Sequence, residues 1–510
     1  MFPVRPLVLA FALVAPLLVS AQAGLTTVRI DDTKPQQTIA HFGASDAWAC
    51  QFVGIWPAAK KEAIADLLFS TATGPGGQPK GIGLSLWRVN LGAGSAQQGE
   101  QSGIKDEWRR AESFLNADGS YDWSRQAGQQ WFMQAARRRG VHQFLGFLNS
   151  PPVAFTTNHK AFATNNQPNL DPARNDDYAT YLATVLQGLR RKTGITFDYL
   201  SPVNEPQWDW SDGGQEGSPF RNEQVAGIAK ALSRQLVAQK LTTQIVVPEA
   251  GKLDYLFAVA DKPDRGNQLA TFWGDSTAAT YLGATPRVAR IGAGHGYFTT
   301  SPYAQEVKTR QQLAAKVQAL PGLAYWQSEY CILGDNGGEI NGNPRDLGIA
   351  PALYVARAIH TDLAVANATS WQWWLAVSPY NYKDGLVYID KNKTDGNYYP
   401  SKMLWALGNY SRFLRPGTVR FSTSLDAPAA GKLLVSAYQD AKGKQLITIV
   451  VNDADAPAEL RLQLARRRLG AGRSYVTSAT ADLQPGPAVA AGQALHIAPR
   501  SITTLVSELR

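Results

Sequence analysis

Between residue 41 and about residue 415, short apolar runs rich in β-forming residues alternate eight times with longer amphipathic stretches. The runs cover residues 41–47, 84–92, 142–150, 197–205, 244–251, 290–298, 324–330 and 370–377. Between them lie segments such as "AAKKEAIADLLFS" and "NEQVAGIAKALSRQLVAQK", with apolar residues at helical spacing. A buried parallel strand is continuously apolar, and the helix that covers it repeats every 3.6 residues, so the alternation specifies βα units around a parallel sheet. Eight near-regular units predict a closed (β/α)8 TIM barrel over residues 41–415. An open doubly wound sheet fits less well, because no Gly-rich phosphate turn follows the first run.

Beyond about residue 416 the helical spacing ends. "KLLVSAYQD", "KQLITIVVND", "AELRLQL" and "SITTLVSEL" read as strands divided by Gly, Pro, Asn and Asp. They predict an appended β-sandwich over residues 416–510, joined by an N-terminal strand from residues 24–40.

The chain opens with one early Arg, an apolar run from Leu7 to Val19 and then Ala21-Gln22-Ala23. That order reads as a signal peptide over residues 1–23, so a secreted or periplasmic protein is expected. No later segment is apolar and long enough for a membrane span. The two cysteines, Cys50 and Cys331, rule out a disulfide framework and leave one bridge open. The formal net charge of +9 is spread over dispersed clusters with no nucleic-acid motif, so no nucleic acid is expected as a partner. Six scattered histidines with no HExxH and no Cys/His cluster argue against a metal site, and no cofactor is expected. A monomer is expected.

In a barrel of this kind the C-terminal ends of the strands converge on one site. Asp46, Asn149, Asn204, Glu205, Glu249, His295, Tyr297 and Glu329 fall at such ends. Glu205 ends the fourth run and Glu329 lies late in the seventh, nearly opposite one another around eight strands. Two facing carboxylates are what glycosidic cleavage requires, one to protonate the leaving oxygen and one to meet the anomeric carbon. Glu249 is a rival carboxylate without a comparable flanking motif. Trp208, Trp210, Trp371 and Trp374 are candidate platforms for a sugar ring, with Trp371 equally readable as core.

The stretches "SPVNEPQW", "WQSEY", "HFGASDAW", "LSLWRVNLGAG" and "YYPSKMLWALGNYSRFLRPG" together resemble glycoside hydrolase family 30, among the clan A retaining (β/α)8 glycosidases. The resemblance spans nearly the whole chain after the leader. It implies that Glu205 is the acid/base, Glu329 the nucleophile, and Asn204 a ligand of the substrate 2-hydroxyl. Arg88 and Tyr297 are placed to donate to Glu329, and His295 is either a contact of the site or a buried structural histidine. Asp46 matches an acidic position that binds distal hydroxyls, with a turn-capping role as the alternative, and Trp374 matches the family's eighth-strand aromatic. The text "FLNSPPVAF" departs from the family, which often has Trp beside the Ser-Pro, so the wall near Asn149 is expected to differ. "NEPQWDW", "GGQEGSPF" and "GASDAW" look most similar to endo-β-1,6-galactanases. A polysaccharide or oligosaccharide substrate follows, with β-1,6-glucan and glucuronoxylan as rivals. A carbohydrate-binding protein that has lost catalysis is the reading from another class.

Overall fold

The computed structural model describes residues 25–426 and 432–510, so the leader expected over residues 1–23 lies outside the described residues. The first strand, β1 (Leu25–Thr38), belongs to the small domain. Eight parallel strands then close a barrel: β2 (His41–Ser45), β3 (Leu86–Asn90), β4 (Gln143–Phe147), β5 (Tyr199–Ser201), β6 (Gln244–Ala250), β7 (Val288–His295), β8 (Ala324–Tyr330) and β9 (Ser370–Ser378). Closure comes from β9, which pairs in parallel with both β8 and β2. Every residue of β2, β3 and β9 is buried. Helices cover the outside and side chains fill the inside, which is why these strands are mostly apolar, with polar residues such as Arg88 and Gln372 among them.

The helices carry their own end signals. Asn175–Thr193 has Asp176 and Asp177 in its first turn, Arg190, Arg191 and Lys192 in its last, and Gly194 at φ +75° as its left-handed stop. Helix Ala127–Arg138 carries Arg137 and Arg138 in its last turn, and Arg139 beyond it pairs with Glu62 and Asp66, each at 2.6 Å.

One boundary differs in a way that matters for the site. The fourth run was expected to stay extended to Glu205, but β5 stops at Ser201. Pro202 and Pro206 have no N–H to give a ladder. The Glu205 N–H instead bonds the Glu249 carbonyl at 2.9 Å, with Glu205 itself at φ +45°. Beyond β9, the chain adds β10 (Gly385–Ile389) and β11 (Tyr398–Pro400), which extend the sheet from the barrel's side. Their period is too short to stand out in sequence.

The remaining strands are β12 (Val419–Leu425), β13 (Leu433–Gln439), β14 (Gln445–Asn452), β15 (Ala458–Leu464), β16 (Leu469–Thr477), β17 (Gln484–Val489), β18 (Leu495–Ile497) and β19 (Ser501–Leu509). With β1 they form one mostly antiparallel nine-stranded sheet, β1 lying antiparallel to β12 and parallel to β15. Alternation on β13 and β14 explains how this domain attaches. Leu433, Val435, Leu446 and Val450 enter its own core, which also holds Val28 and Ile30 of β1. Leu434, Tyr438, Ile447, Ile449 and Val451 point the other way and join the barrel's core. Both faces are therefore buried.

Two buried groups hold neighbouring outer helices together. Arg310, on helix Tyr303–Gln318, pairs at 2.9 Å with Asp362 on helix Ile349–Ala364, and both are buried. The second Asp362 oxygen accepts from the indole of Trp371 at 2.9 Å. Trp371 is thus core, as its alternative reading had it. Asp362→Ala takes the carboxylate partner from a buried guanidinium and the acceptor from an indole N–H, and should cost about 3–5 kcal/mol of stability, read from urea unfolding.

Candidate active site

The C-terminal face of the barrel opens into a cavity of about 760 Å³. Asn204, Glu205, Trp208, Trp210, Tyr297, Glu329 and Trp374 all line it, so seven of the thirteen residues singled out from sequence meet there. Arg88 and His295 lie directly behind this wall, fully buried and bonded to its carboxylates.

The loop after β5 places Glu205. Its left-handed backbone is held from both sides, because its N–H is bonded to Glu249 and its carbonyl accepts from the Trp208 N–H at 3.2 Å and the Trp210 indole at 3.1 Å. A non-glycine residue at positive φ is strained, and such bonding is what makes one conformation persist. Glu329 is placed by β8. Its carboxylate accepts from the Arg88 guanidinium and from the Tyr297 hydroxyl at 2.8 Å. Arg88 also donates to Asn204 Oδ1 at 3.2 Å, which commits that oxygen and turns the amide nitrogen toward the cavity as a donor. The Arg88 guanidinium rests 3.8 Å from the ring centroid of Phe147, a contact that holds it flat.

Behind the pair stands a third carboxylate. Glu249 is fully buried and does not line the cavity. It accepts from Ser201 and Ser328, each at 2.5 Å, and meets His295 Nε2 at 3.2 Å. Burial pushes its pKa up, but the His295 hydrogen bond and the nearby Arg88 charge outweigh this and hold it at about 2. The rival carboxylate is thus a fixed anion serving His295.

His295 bridges all three acids. Nδ1 lies 2.8 Å from Glu205 and 3.5 Å from Glu329, and Nε2 faces Glu249. Burial alone would strip its proton, yet the Glu329 charge and the bonds to Glu205 and Glu249 push its pKa up to about 10. A protonated ring with both nitrogens donating has no lone pair for a metal. Glu205 moves the opposite way from Glu249. Burial raises its pKa, opposed by the bond and charge of His295 and aided by the charge of Glu329.

The sum of charges explains the division. Arg88 and His295 are cationic, Glu249 and Glu329 anionic, and a protonated Glu205 makes the buried cluster neutral. One oxygen each of Glu205 and Glu329 lie within 4.8 Å of one another. That suits direct attack by one carboxylate on a sugar carbon beside the other, and is too close for the intervening water of an inverting site, which needs about 6.5–9.5 Å.

The other sequence candidates sit elsewhere. Asp46 is buried and off the cavity wall. It accepts the Asn90 N–H at 2.7 Å, while its Oδ2 has no partner among the described residues. Burial pushes its pKa up to about 8. Asn149 is also buried off the wall; its carbonyl accepts the Ser218 N–H at 3.1 Å, and its side-chain amide has no partner among the described residues. Cys50 and Cys331 are both buried free thiols, so the bridge left open by sequence is not formed. Cys331 lines the cavity.

Several wall residues escaped the sequence reading, among them Trp48, Arg109, Phe298, Tyr380 and Asp384. They come from loops after four different strands, with no shared motif to unite them. Trp48 stood in the quoted stretch "GASDAW", and Phe298 closed the sixth run, 290–298.

A closed barrel with a buried acid and an ionised carboxylate side by side on its C-terminal face defines a glycoside hydrolase. The family model for O-glycosyl hydrolase family 30 matches residues 25–388, and the chain belongs to that family. A conserved exported protein from Bacteroides fragilis superposes with a TM-score of 0.88 at 33% identity, over 94% of this chain and 100% of that one. The catalytic domain of the family 30 xylanase C from Talaromyces cellulolyticus gives a TM-score of 0.68 at 22% identity, over 94% and 99% of the two chains. An endo-β-1,6-glucanase gives 0.68 at 16% identity, over 94% of each. The last two likenesses speak to fold. Among the described residues, no helix is long and apolar enough to cross a membrane.

Proposed function

We propose that this glycoside hydrolase is an exported, retaining endo-β-1,6-galactanase, with arabinogalactan side chains as substrate. The approach of Glu205 and Glu329 to within 4.8 Å carries the retaining mechanism. In the first step Glu329 attacks the anomeric carbon and Glu205 protonates the departing oxygen. The Glu329 oxygen and the anomeric carbon form an ester bond, and the glycosidic bond breaks. Glu329 thereby loses its negative charge. Glu205, having given up its proton, restores the negative charge, so the buried cluster stays neutral through the step. In the second step Glu205 takes a proton from water, which attacks the anomeric carbon and frees Glu329. Tyr297 and Arg88 hold the Glu329 oxygens in line, and Asn204 offers its amide nitrogen to the 2-hydroxyl.

The galactan reading rests on "NEPQWDW", "GGQEGSPF" and "GASDAW". The second of these stretches lies beside the cavity. Gln215 lines the cavity, and buried Glu216 accepts from the backbone N–H groups of Ala93 and Ser95 at 2.9 and 3.2 Å, tying this loop to the one after β3. Export is supported by the leader-like N-terminus. A panel of β-1,6-galactan, β-1,6-glucan and glucuronoxylan with product sizing tests the reading. Oligosaccharides of mixed length from galactan alone are expected; release from another member of the panel, with none from galactan, would replace the assigned substrate.

The charge balance also predicts a pH effect. The working state needs Glu205 protonated, so activity falls as pH rises through its raised pKa. Glu249→Gln leaves the same state with one surplus positive charge, and its next proton departs more easily. The basic limb of kcat/KM should therefore move to lower pH, by about 1–3 units. An unmoved limb would show that Glu249 does not set the charge of the cluster.

A further inference from the structure

The cavity has two walls. Trp208 and Phe298, from the loops after β5 and β7, meet edge-on at 6.3 Å and form one side; Trp48, Arg109, Tyr380 and Asp384, from the loops after β2, β3 and β9, form the other, with Leu333 beside Asp384 where the two join. The direction of the substrate follows from chemistry. The acid must stand by the leaving group, and Trp208 follows Glu205 by three residues, so the departing part of the glycan lies along the first wall. The sugar that is attacked packs near Trp374, and the rest of its chain runs toward the second wall, where Trp48 meets Trp374 edge-on at 5.4 Å.

That second wall is unusually equipped. The Arg109 guanidinium lies over the rings of both Trp48 and Tyr380, at 5.2 and 5.1 Å from their centroids. Its hydrogen bond to the Gly214 carbonyl, at 3.4 Å, is long and weak. Asp384 is 7% exposed, and its Oδ1 has no partner among the described residues. The indole nitrogen of buried Trp48 has none either. A buried acceptor and a buried donor left unpaired are costly unless a ligand completes them. Aromatic faces beside a carboxylate, a guanidinium and an indole N–H match a pyranose, with apolar C–H faces and hydroxyls that both give and accept.

We propose that Trp48, Arg109 and Asp384 form a second sugar subsite on the non-reducing side of the cleaved bond, recognising hydroxyls of a neutral hexose. The assignment rests on the retaining mechanism above, which sets the direction of the chain. Asp384 and Arg109 offset one another's charge, so a neutral sugar suits the subsite and a uronic acid would add an unbalanced carboxylate. Recognition here favours attack inside a chain, because a terminal sugar alone would leave the subsite empty.

The test is calorimetric binding in a Glu329→Gln background, with β-1,6-galactotriose, β-1,6-glucotriose and galactose as probes. Adding Asp384→Ala or Arg109→Ala should weaken trisaccharide binding at least tenfold, the loss expected for a hydrogen bond to a charged group, and leave galactose binding unchanged. Arg109 is only half-buried, so its variant keeps the test valid if Asp384→Ala proves unstable by thermal melting. Equal trisaccharide binding with and without these changes would overturn the subsite. A parent that binds glucotriose but not galactotriose overturns the galactan reading alone, and the subsite is then judged on glucotriose. Tighter binding of a glucuronic-acid-bearing xylotriose than of either neutral trisaccharide would overturn the neutral-sugar assignment. No binding of any trisaccharide would overturn both readings.

Discussion

Glu329→Ala should lower kcat by roughly 10⁴-fold or more, since it removes the group that forms the covalent intermediate. Added azide should restore part of the rate by entering the space the carboxylate leaves. It then attacks the same face of the sugar as Glu329 would, and no second displacement follows. The product is an α-glycosyl azide, identifiable by NMR. A β-azide would mean that Glu329 is not the nucleophile. The cationic neighbours sharpen this expectation. Arg88 and Tyr297 are committed to the Glu329 carboxylate, so its removal also leaves a buried guanidinium short of a partner. Glu329→Gln preserves the shape and is the variant for binding work.

Glu205→Ala should behave differently in each respect. General acid–base help is worth roughly 10²–10⁴-fold, and it matters most for a leaving group that cannot depart unprotonated. The loss should therefore be large on polysaccharide and small in the first step on an aryl glycoside with an acidic phenol. The glycosyl-enzyme then accumulates, because no base activates water. Azide needs no base, and should release it as the β-glycosyl azide. The two variants together assign the roles by the hand of the product, independently of how far either rate falls.

How much of this was legible in sequence varies from residue to residue. The barrel was readable because parallel strands buried on both faces must be mostly apolar, and "SWQWWLAV" is buried along all of β9. Glu329 was readable because it lies within a strand, where position along the run fixes its place on the barrel's end. Glu205 was readable through its Asn-Glu-Pro context, but its geometry was not. It lies four positions past the end of β5, and its positive φ depends on a bond to Glu249, 44 positions away. Glu249 shows the same limit from the other side. Its strand-end position marked it as a candidate, yet only the fold reveals that it faces His295 and not the cavity. Asp46 was read either as a ligand of distal hydroxyls or as a turn cap, and is found bonded to the Asn90 backbone off the wall, its second oxygen without a partner among the described residues. The second wall was invisible as a unit, because Trp48, Arg109, Tyr380 and Asp384 meet only when β2, β3 and β9 become neighbours.

The central claim is that Glu329 becomes covalently bonded to sugar while Glu205 carries the proton. A 2-deoxy-2-fluoro galactoside with a good leaving group tests it most directly, because the fluorine slows both steps and the leaving group spares the first. Mass spectrometry of the intact protein should show one added fluorosugar, and peptide mapping should place it on Glu329. Label on Glu205 or Glu249, or turnover that yields the α-anomer with no adduct, would contradict the mechanism.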